Sequence, residues 1–110
     1  MENLSPQQVK EEIENGNAIL INIRGSEEIK QHGKISNSIT APRGLLEFYA
    51  DPELPYYKTE FDGNKRIILQ CASRVRSAMA SLTLISMGYE NVAHLDSGLY
   101  AWIEAGFPVE

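Results

Sequence analysis

One residue of this chain, Cys71, combines a reactive side chain with a position that favours chemistry. It follows the run Arg66–Gln70, which predicts a buried strand, and precedes residues 77–87, which predict a helix ended by Gly88. Cys71 is therefore predicted to lie on a short loop between a strand and a helix. Open α/β sheets bind ligands at that edge, where the helix dipole and free backbone N–H groups favour an anion. Because the thiolate is the reactive form of cysteine and such surroundings favour it, Cys71 is predicted to be a nucleophile.

The residues after Cys71 are suited to holding a sulfur anion. Successive amides of a short loop can form a nest for an anion, and Arg76, five residues after Cys71, is predicted to reach over that nest or to brace it. Ser77 is predicted to cap the following helix, and it is also a candidate substrate-binding residue because its hydroxyl could reach the sulfur. The other predicted substrate-binding residues, which contribute backbone amides and one further guanidinium, are Ala72, Ser73, Arg74 and Val75.

Charge is distributed unevenly along the chain. The formal net charge of −5 argues against nucleic acid as a partner. Residues 1–62 carry eleven acids and six bases, whereas residues 63–110 carry four of each. No acid occurs between Gly63 and Tyr89, and the bases in that interval are Lys65, Arg66, Arg74 and Arg76. The sequence therefore predicts a cationic neighbourhood around Cys71 in an otherwise acidic protein.

Helix and strand signals alternate along the 110 residues. The first helix has a complete start signal, with Ser5 as N-cap, Pro6 at the first position and Gln8 completing a capping box. Strands are predicted at 18–23, 38–41, 66–70 and 91–96, and helices or helical turns at 6–15, 26–31, 45–49, 77–87 and 99–105. This alternation predicts a single α/β domain, residues 1–110, with a parallel sheet and helices on both of its faces.

Several classes of protein are not expected. One cysteine cannot form an internal disulfide, no window approaches the ~18 apolar residues of a membrane span, and the N-terminus lacks a signal segment, so the cytoplasm is the predicted compartment. No spacing of ligand residues suggests a metal, and no cofactor is predicted. His94 lies in an apolar strand pattern and is predicted to be a hydrogen-bonded core residue, whereas His32 is predicted at the surface. Neither is predicted to be a base for Cys71.

The chain resembles the single-domain rhodaneses, which are sulfurtransferases, nearly from end to end. The family pattern Cys-Ala-Ser-Gly-x-Arg-Ser is matched by Cys71–Ser77 in all but one defined position. The other segments that carry the resemblance are Leu20–Arg24, Gly33–Ser38, Ala41–Phe48, Gly88–Val92, Leu95–Gly98, Trp102 and Gly106–Val109. The resemblance implies a mostly parallel sheet of about five strands with helices on both faces.

It also implies a function for Cys71. Its thiolate would take the outer sulfur of a small anionic donor, such as thiosulfate or a persulfide, and pass it to a thiol, to cyanide or to a protein acceptor. Neither nucleic acid nor a membrane is implied as a partner.

Two departures keep other functions open. Asn22 replaces an aspartate that pairs a buried arginine in the family, so Arg24 is expected to lack its usual partner. Arg74 replaces a glycine, which either alters the loop or adds affinity for anions. A carrier or sensor that relays a persulfide within a partner complex, or an inert domain, therefore remains an alternative. A cysteine phosphatase or arsenate reductase is disfavoured, because that chemistry uses an arginine six positions after the cysteine and Ser77 stands there.

Overall fold

A computed structural model describes residues 2–35, 38–61, 65–70, 75–95 and 98–109. Within these ranges the strands are β1 (Glu2–Leu4), β2 (Ala18–Asn22), β3 (Ile39–Thr40), β4 (Arg66–Gln70) and β5 (Val92–Leu95). The helices are α1 (Pro6–Glu14), α2 (Ser26–His32), α3 (Leu46–Ala50), α4 (Val75–Ser86) and α5 (Gly98–Glu104), and a single 3₁₀ turn, Arg43–Leu45, precedes α3.

The strands form one sheet in the order β1-β5-β4-β2-β3, and each neighbouring pair is parallel. The predicted α/β class, with about five mostly parallel strands, is confirmed. β4 lies in the middle of the sheet, between β2 and β5. The carboxyl end of β4 is thus flanked by the carboxyl ends of both neighbours, which is the edge where the Cys71 loop begins.

Side chains of alternating strand residues enter two separate cores, as both faces of a covered parallel sheet require. On one face, Ile21, Ile67 and Leu69 pack with residues of α3 and α4 and with Phe61. On the other, Leu20, Ile68 and Leu95 pack with Val9 of α1 and with Leu99 and Trp102 of α5. The predicted placement of helices on both faces is therefore confirmed.

The start of α1 follows the sequence prediction closely. Ser5 Oγ accepts a hydrogen bond from the Gln8 backbone N–H at 3.2 Å, and Gln8 Oε1 accepts one from the Ser5 N–H at 2.9 Å, which completes the capping box. Leu4 and Val9 are both buried in the same core. The helix ends before Gly16, whose φ of +74° lies in the left-handed region that glycine adopts without strain.

Two differences from the prediction exceed one residue. No strand is predicted at residues 2–4, but they form β1 at the sheet edge, with Asn3 opposite His94. A three-residue strand is too short to show a period, and its pairing partner lies some 90 residues away. α4 begins at Val75, two residues earlier than predicted. Among the described helices, none is long and apolar enough to cross a membrane.

Candidate active site

The Cys71 loop joins the central strand to the helix that packs on it. β4 ends at Gln70 and α4 begins at Val75, so residues 71–74 connect the middle of the sheet's carboxyl edge to a helix N-terminus. Cys71, Ala72, Ser73 and Arg74 lie outside the described residues, as do the side chains of Val75 and Arg76. The anion nest and the roles of these six residues therefore stay predictions.

A layer of buried polar side chains lies at this carboxyl edge. β4 is apolar and almost fully buried from Ile67 to Leu69, and its last residue, Gln70, is buried as well. The last residue of β2, Asn22, and the third residue of β5, His94, are likewise buried and polar. The sequence signal for this layer is a polar residue at the end of an apolar strand, as for Asn22 and Gln70, or one residue before that end, as for His94. It marks the edge at which the strands give way to loops.

Ser77 connects α4 to this layer. It is the third residue of α4 and fully buried, and its Oγ lies 3.2 Å from Nδ1 of His94. The prediction that His94 is a hydrogen-bonded core residue is confirmed. The prediction that Ser77 caps α4 is wrong, because the helix begins two residues earlier and the hydroxyl turns inward to the imidazole.

Arg24 is fully buried. It lacks its usual aspartate partner, as expected, but other groups form hydrogen bonds with it. Its Nη1 donates to the Gly33 carbonyl at 2.6 Å, and its backbone N–H donates to Asn22 Oδ1 at 3.1 Å. The asparagine thus keeps the backbone contact that a carboxylate at this position can make, without the negative charge. Among the described residues, Asn22 Nδ2 has no hydrogen-bond acceptor. Among the described contacts, the guanidinium donates to the Gly33 carbonyl, whereas Asn22 accepts from the Arg24 backbone.

The segment after β3 is held at the same edge. The Arg43 backbone N–H donates to the Ile23 carbonyl, directly after β2. Its side chain bridges two helices, with Nη1 2.7 Å from Glu47 Oε1 and Nη2 donating to Thr83 Oγ1 at 3.0 Å. Arg43 therefore fastens the α3 region to the middle of α4.

Two of the four bases expected near Cys71 lie elsewhere. Arg66 is the first residue of β4, about 13 Å along the strand from Gln70, and its Nη1 is 3.2 Å from Glu12 Oε2 of α1. Lys65 borders a surface pocket with Ile19, Thr59 and Glu60 at that opposite edge. The expected cationic neighbourhood is corrected accordingly. Of the four bases named for it, Arg66 and Lys65 do not contribute, because the length of β4 separates them from Cys71.

An open cavity of about 300 Å³ also lies away from the loop, at the carboxyl end of α4. Its lining residues are Pro52, Tyr57, Phe61, Met87, Gly88, Tyr89 and Glu90. Tyr89 donates its hydroxyl to the Ala50 carbonyl there. Burial, then the nearby Tyr57 and Asp51, raise the pKa of Tyr89 to about 12. This tyrosine is a neutral structural donor at ordinary pH.

Three comparisons relate the chain to known proteins. A family model described as "Rhodanese-like domain" matches residues 5–105. A sulfurtransferase of Allochromatium vinosum is 30% identical over 91 residues, covering 83% of this chain and 77% of that protein. The solved structure of a rhodanese-related protein of Thermoplasma volcanium has a TM-score of 0.79 at 25% identity, covering 100% of this chain and 98% of the other.

A further solved structure is more similar and bears a different description. It is a protein of unknown function from Rhodopseudomonas palustris, described as a possible tyrosine phosphatase, with 38% identity and a TM-score of 0.93. The match covers 100% of this chain and 85% of that one. The family match spans nearly the whole sequence, and the parallel five-stranded fold agrees with it. This chain therefore belongs to the rhodanese-like domain family.

Proposed function

We propose that this protein is a sulfurtransferase that moves sulfane sulfur from a small anionic donor to a thiophilic acceptor through a persulfide on Cys71. The observation that carries the proposal is where the chain's one thiol falls: it directly follows the central strand and comes four residues before α4. Membership of the rhodanese-like family supports the same chemistry. Thiosulfate is the proposed test donor, and a thiol, cyanide or a protein cysteine is the proposed acceptor.

The proposed reaction is a double displacement. The Cys71 thiolate attacks the outer sulfur of thiosulfate, the S–S bond of the donor breaks, and sulfite leaves with the bonding electron pair. The acceptor then attacks the outer sulfur of the persulfide and restores the Cys71 thiolate. The thiolate and the persulfide of Cys71 each carry one negative charge, so the same hydrogen-bond donors can stabilise both. The proposed donors are the amides of residues 72–75 and the Arg76 guanidinium, with the Ser77 hydroxyl as a further candidate.

The test is intact-protein mass spectrometry after incubation with thiosulfate, with and without reductant. We expect a gain of one sulfur atom that reductant removes, together with thiocyanate formation when cyanide is added. Cys71→Ser should abolish both, since no other thiol is present. Thiocyanate formation that survives this substitution would refute the proposal.

A cysteine phosphatase is the second candidate, because a structure with a TM-score of 0.93 is described as a possible tyrosine phosphatase. Arg76 stands five positions after Cys71, and the sixth position is Ser77. A loop one residue shorter than that of cysteine phosphatases suits a single sulfur better than a tetrahedral phosphate. Rapid hydrolysis of a phosphate ester that depends on Cys71 would reverse this ranking.

A partner-dependent persulfide carrier is the third candidate, and Arg74 in place of glycine is the feature that favours it. Cys71 would then load with sulfur and release it only to a docked protein. Persulfide formation with negligible turnover on cyanide and small thiols would select this function. Failure to load at all would instead indicate an inert domain.

A further inference from the structure

A buried hydrogen bond joins α4 to the sheet beside the Cys71 loop. It runs between Ser77 Oγ and His94 Nδ1 at 3.2 Å, and the exposed fractions of the two residues are 0% and 5%. His94 lies opposite Leu69 in the β4–β5 ladder. Leu69 is two residues before Cys71 in the chain. Ser77 lies three residues after the other end of the loop. The bond therefore connects the start of α4, which follows the loop, to β5, which lies beside the end of β4, where the loop begins.

Residue 94 is a buried histidine on a face of β5 that packs into an apolar core. Val92, on the same face of β5, packs into the apolar core with α3 and α4. An imidazole buried at this face loses its hydration, which costs free energy unless a hydrogen bond replaces it. Ser77 supplies that bond. In return, the imidazole holds the Ser77 hydroxyl in one orientation and keeps the first turn of α4 against the end of β5.

The connection between β4 and α4 is short, so the bond between Ser77 and His94 can affect it. Four residues connect Gln70 to Val75, so the distance and angle between the strand end and the helix start restrict the conformations of the loop. The first-turn amides of α4 are also the donors that a helix N-terminus offers to an anion. A shift of this turn moves those amides and, with them, the helix end to which residue 74 is joined.

We propose that His94 is a positioning residue for the chemistry of Cys71: through Ser77 it fixes the first turn of α4, which is the helix end to which the Cys71 segment is joined. The sulfur-transfer part of this proposal rests on the proposed function. The effect on the loop itself does not, because the reactivity of a thiol can be measured with an alkylating reagent.

The chain offers a matched control for the loss of a buried hydroxyl. Ser81 is fully buried one helical turn after Ser77, and its Oγ donates to the Ser77 carbonyl at 2.8 Å. Ser81→Ala therefore removes the same chemical group from the same helix while the His94–Ser77 contact stays in place. It reports what a purely structural loss does.

The experiment compares His94→Leu, His94→Asn, Ser77→Ala and the double variant His94→Leu/Ser77→Ala with Ser81→Ala and the wild type. Iodoacetamide alkylation of Cys71 is followed as a function of pH, and persulfide loading is followed as a function of thiosulfate concentration. Thermal unfolding of each variant is measured in parallel.

We expect His94→Leu and Ser77→Ala to slow alkylation near pH 7 about tenfold, the effect of one lost hydrogen bond, and to shift the pH profile to higher pH. The maximal loading rate should fall similarly, with a smaller change in the thiosulfate concentration at half-maximal rate. The double variant should be no slower than either single one, because both remove the same bond. His94→Asn, whose amide lies near the position of Nδ1, should recover part of the rate.

Two results would overturn the proposal. The first is that the His94 and Ser77 variants lose thermal stability as Ser81→Ala does but keep the wild-type pH profile and loading rate. His94 would then have a structural role only. The second is that the rate losses of His94→Leu and Ser77→Ala add fully in the double variant, which would show that the two side chains act independently. If wild-type Cys71 does not load from thiosulfate at all, the proposed function fails, and the alkylation profiles still decide the role of His94.

Discussion

The carboxyl and amino edges of the sheet use polar residues in opposite ways. At the carboxyl edge, where the Cys71 loop is attached, Asn22, Arg24, Gln70 and His94 are 5% exposed or less. At the amino edge, Arg66 and Glu12 pair at 3.2 Å with side chains that are 18% and 27% exposed. The first set is removed from water and depends on protein partners, whereas the second is still hydrated.

This difference has a physical consequence for each edge. A buried polar group whose hydrogen bonds are lost pays its full desolvation cost, so it accepts few alternative geometries. A partly exposed pair can exchange its partner for water at little cost. The described polar side chains of the carboxyl edge therefore have fewer alternative geometries than those of the amino edge, and a preorganised anion site requires such a restriction.

The largest expected effect concerns Arg24. Arg24→Met keeps most of the side-chain length but removes the buried guanidinium, including its donor to the part-buried Gly33 carbonyl. We expect the free energy of unfolding to fall by about 3 kcal/mol, measured by urea denaturation. A loss below about 1 kcal/mol would show that the carboxyl edge is no more constrained than the amino edge.

An intermediate effect is expected from Tyr89, on the amino side. Tyr89→Phe removes the hydroxyl bond to the Ala50 carbonyl and should cost about 1 kcal/mol at neutral pH. The pKa of Tyr89 is raised to about 12 by burial, then by Tyr57 and Asp51, so the folded state keeps the proton up to a higher pH than the unfolded state does. This contribution to stability is present below about pH 10 and is lost as the pH rises towards about 12.

Denaturation curves at several alkaline pH values test this contribution. The wild type should lose stability over that interval more steeply than Tyr89→Phe does. Equal slopes would mean that Tyr89 does not titrate differently in the folded and unfolded states.

The smallest expected effect concerns the Arg66–Glu12 pair. Glu12→Gln should lower the free energy of unfolding by about 0.5 kcal/mol, and the difference should shrink in high salt because the pair is partly hydrated. Glu14→Gln, in the more exposed Lys10–Glu14 pair, is the comparison and should have even less effect. A loss as large as that of Arg24→Met would remove the contrast between the two edges.

Local signals in the sequence were sufficient for much of this architecture. The capping box at Ser5 and Gln8 and the apolar runs that became β2 and β4 each depend on residues within one turn or one strand. The alternation of elements then predicted the parallel sheet. The predicted role of His94 as a hydrogen-bonded core residue was also confirmed, since a polar residue inside an apolar strand must find a partner.

Other features depended on contacts between distant segments. β1 forms because Asn3 meets His94, and Ser77 turns away from the helix cap because the same histidine lies beneath it. Arg66 neighbours Cys71 in sequence but sits at the far end of β4, against Glu12. No local pattern carries these pairings.

The sequence by itself determined the fold class and the family, because periodicity, caps and a contiguous motif depend on neighbouring residues. It also predicted the point in the chain where a nucleophile would stand. Only the tertiary structure decided which buried polar groups meet at the carboxyl edge and which charges are carried away from it. Hydrogen bonds and ion pairs act over a few ångströms in space, and the folded chain alone brings residues such as Ser77 and His94 within that distance.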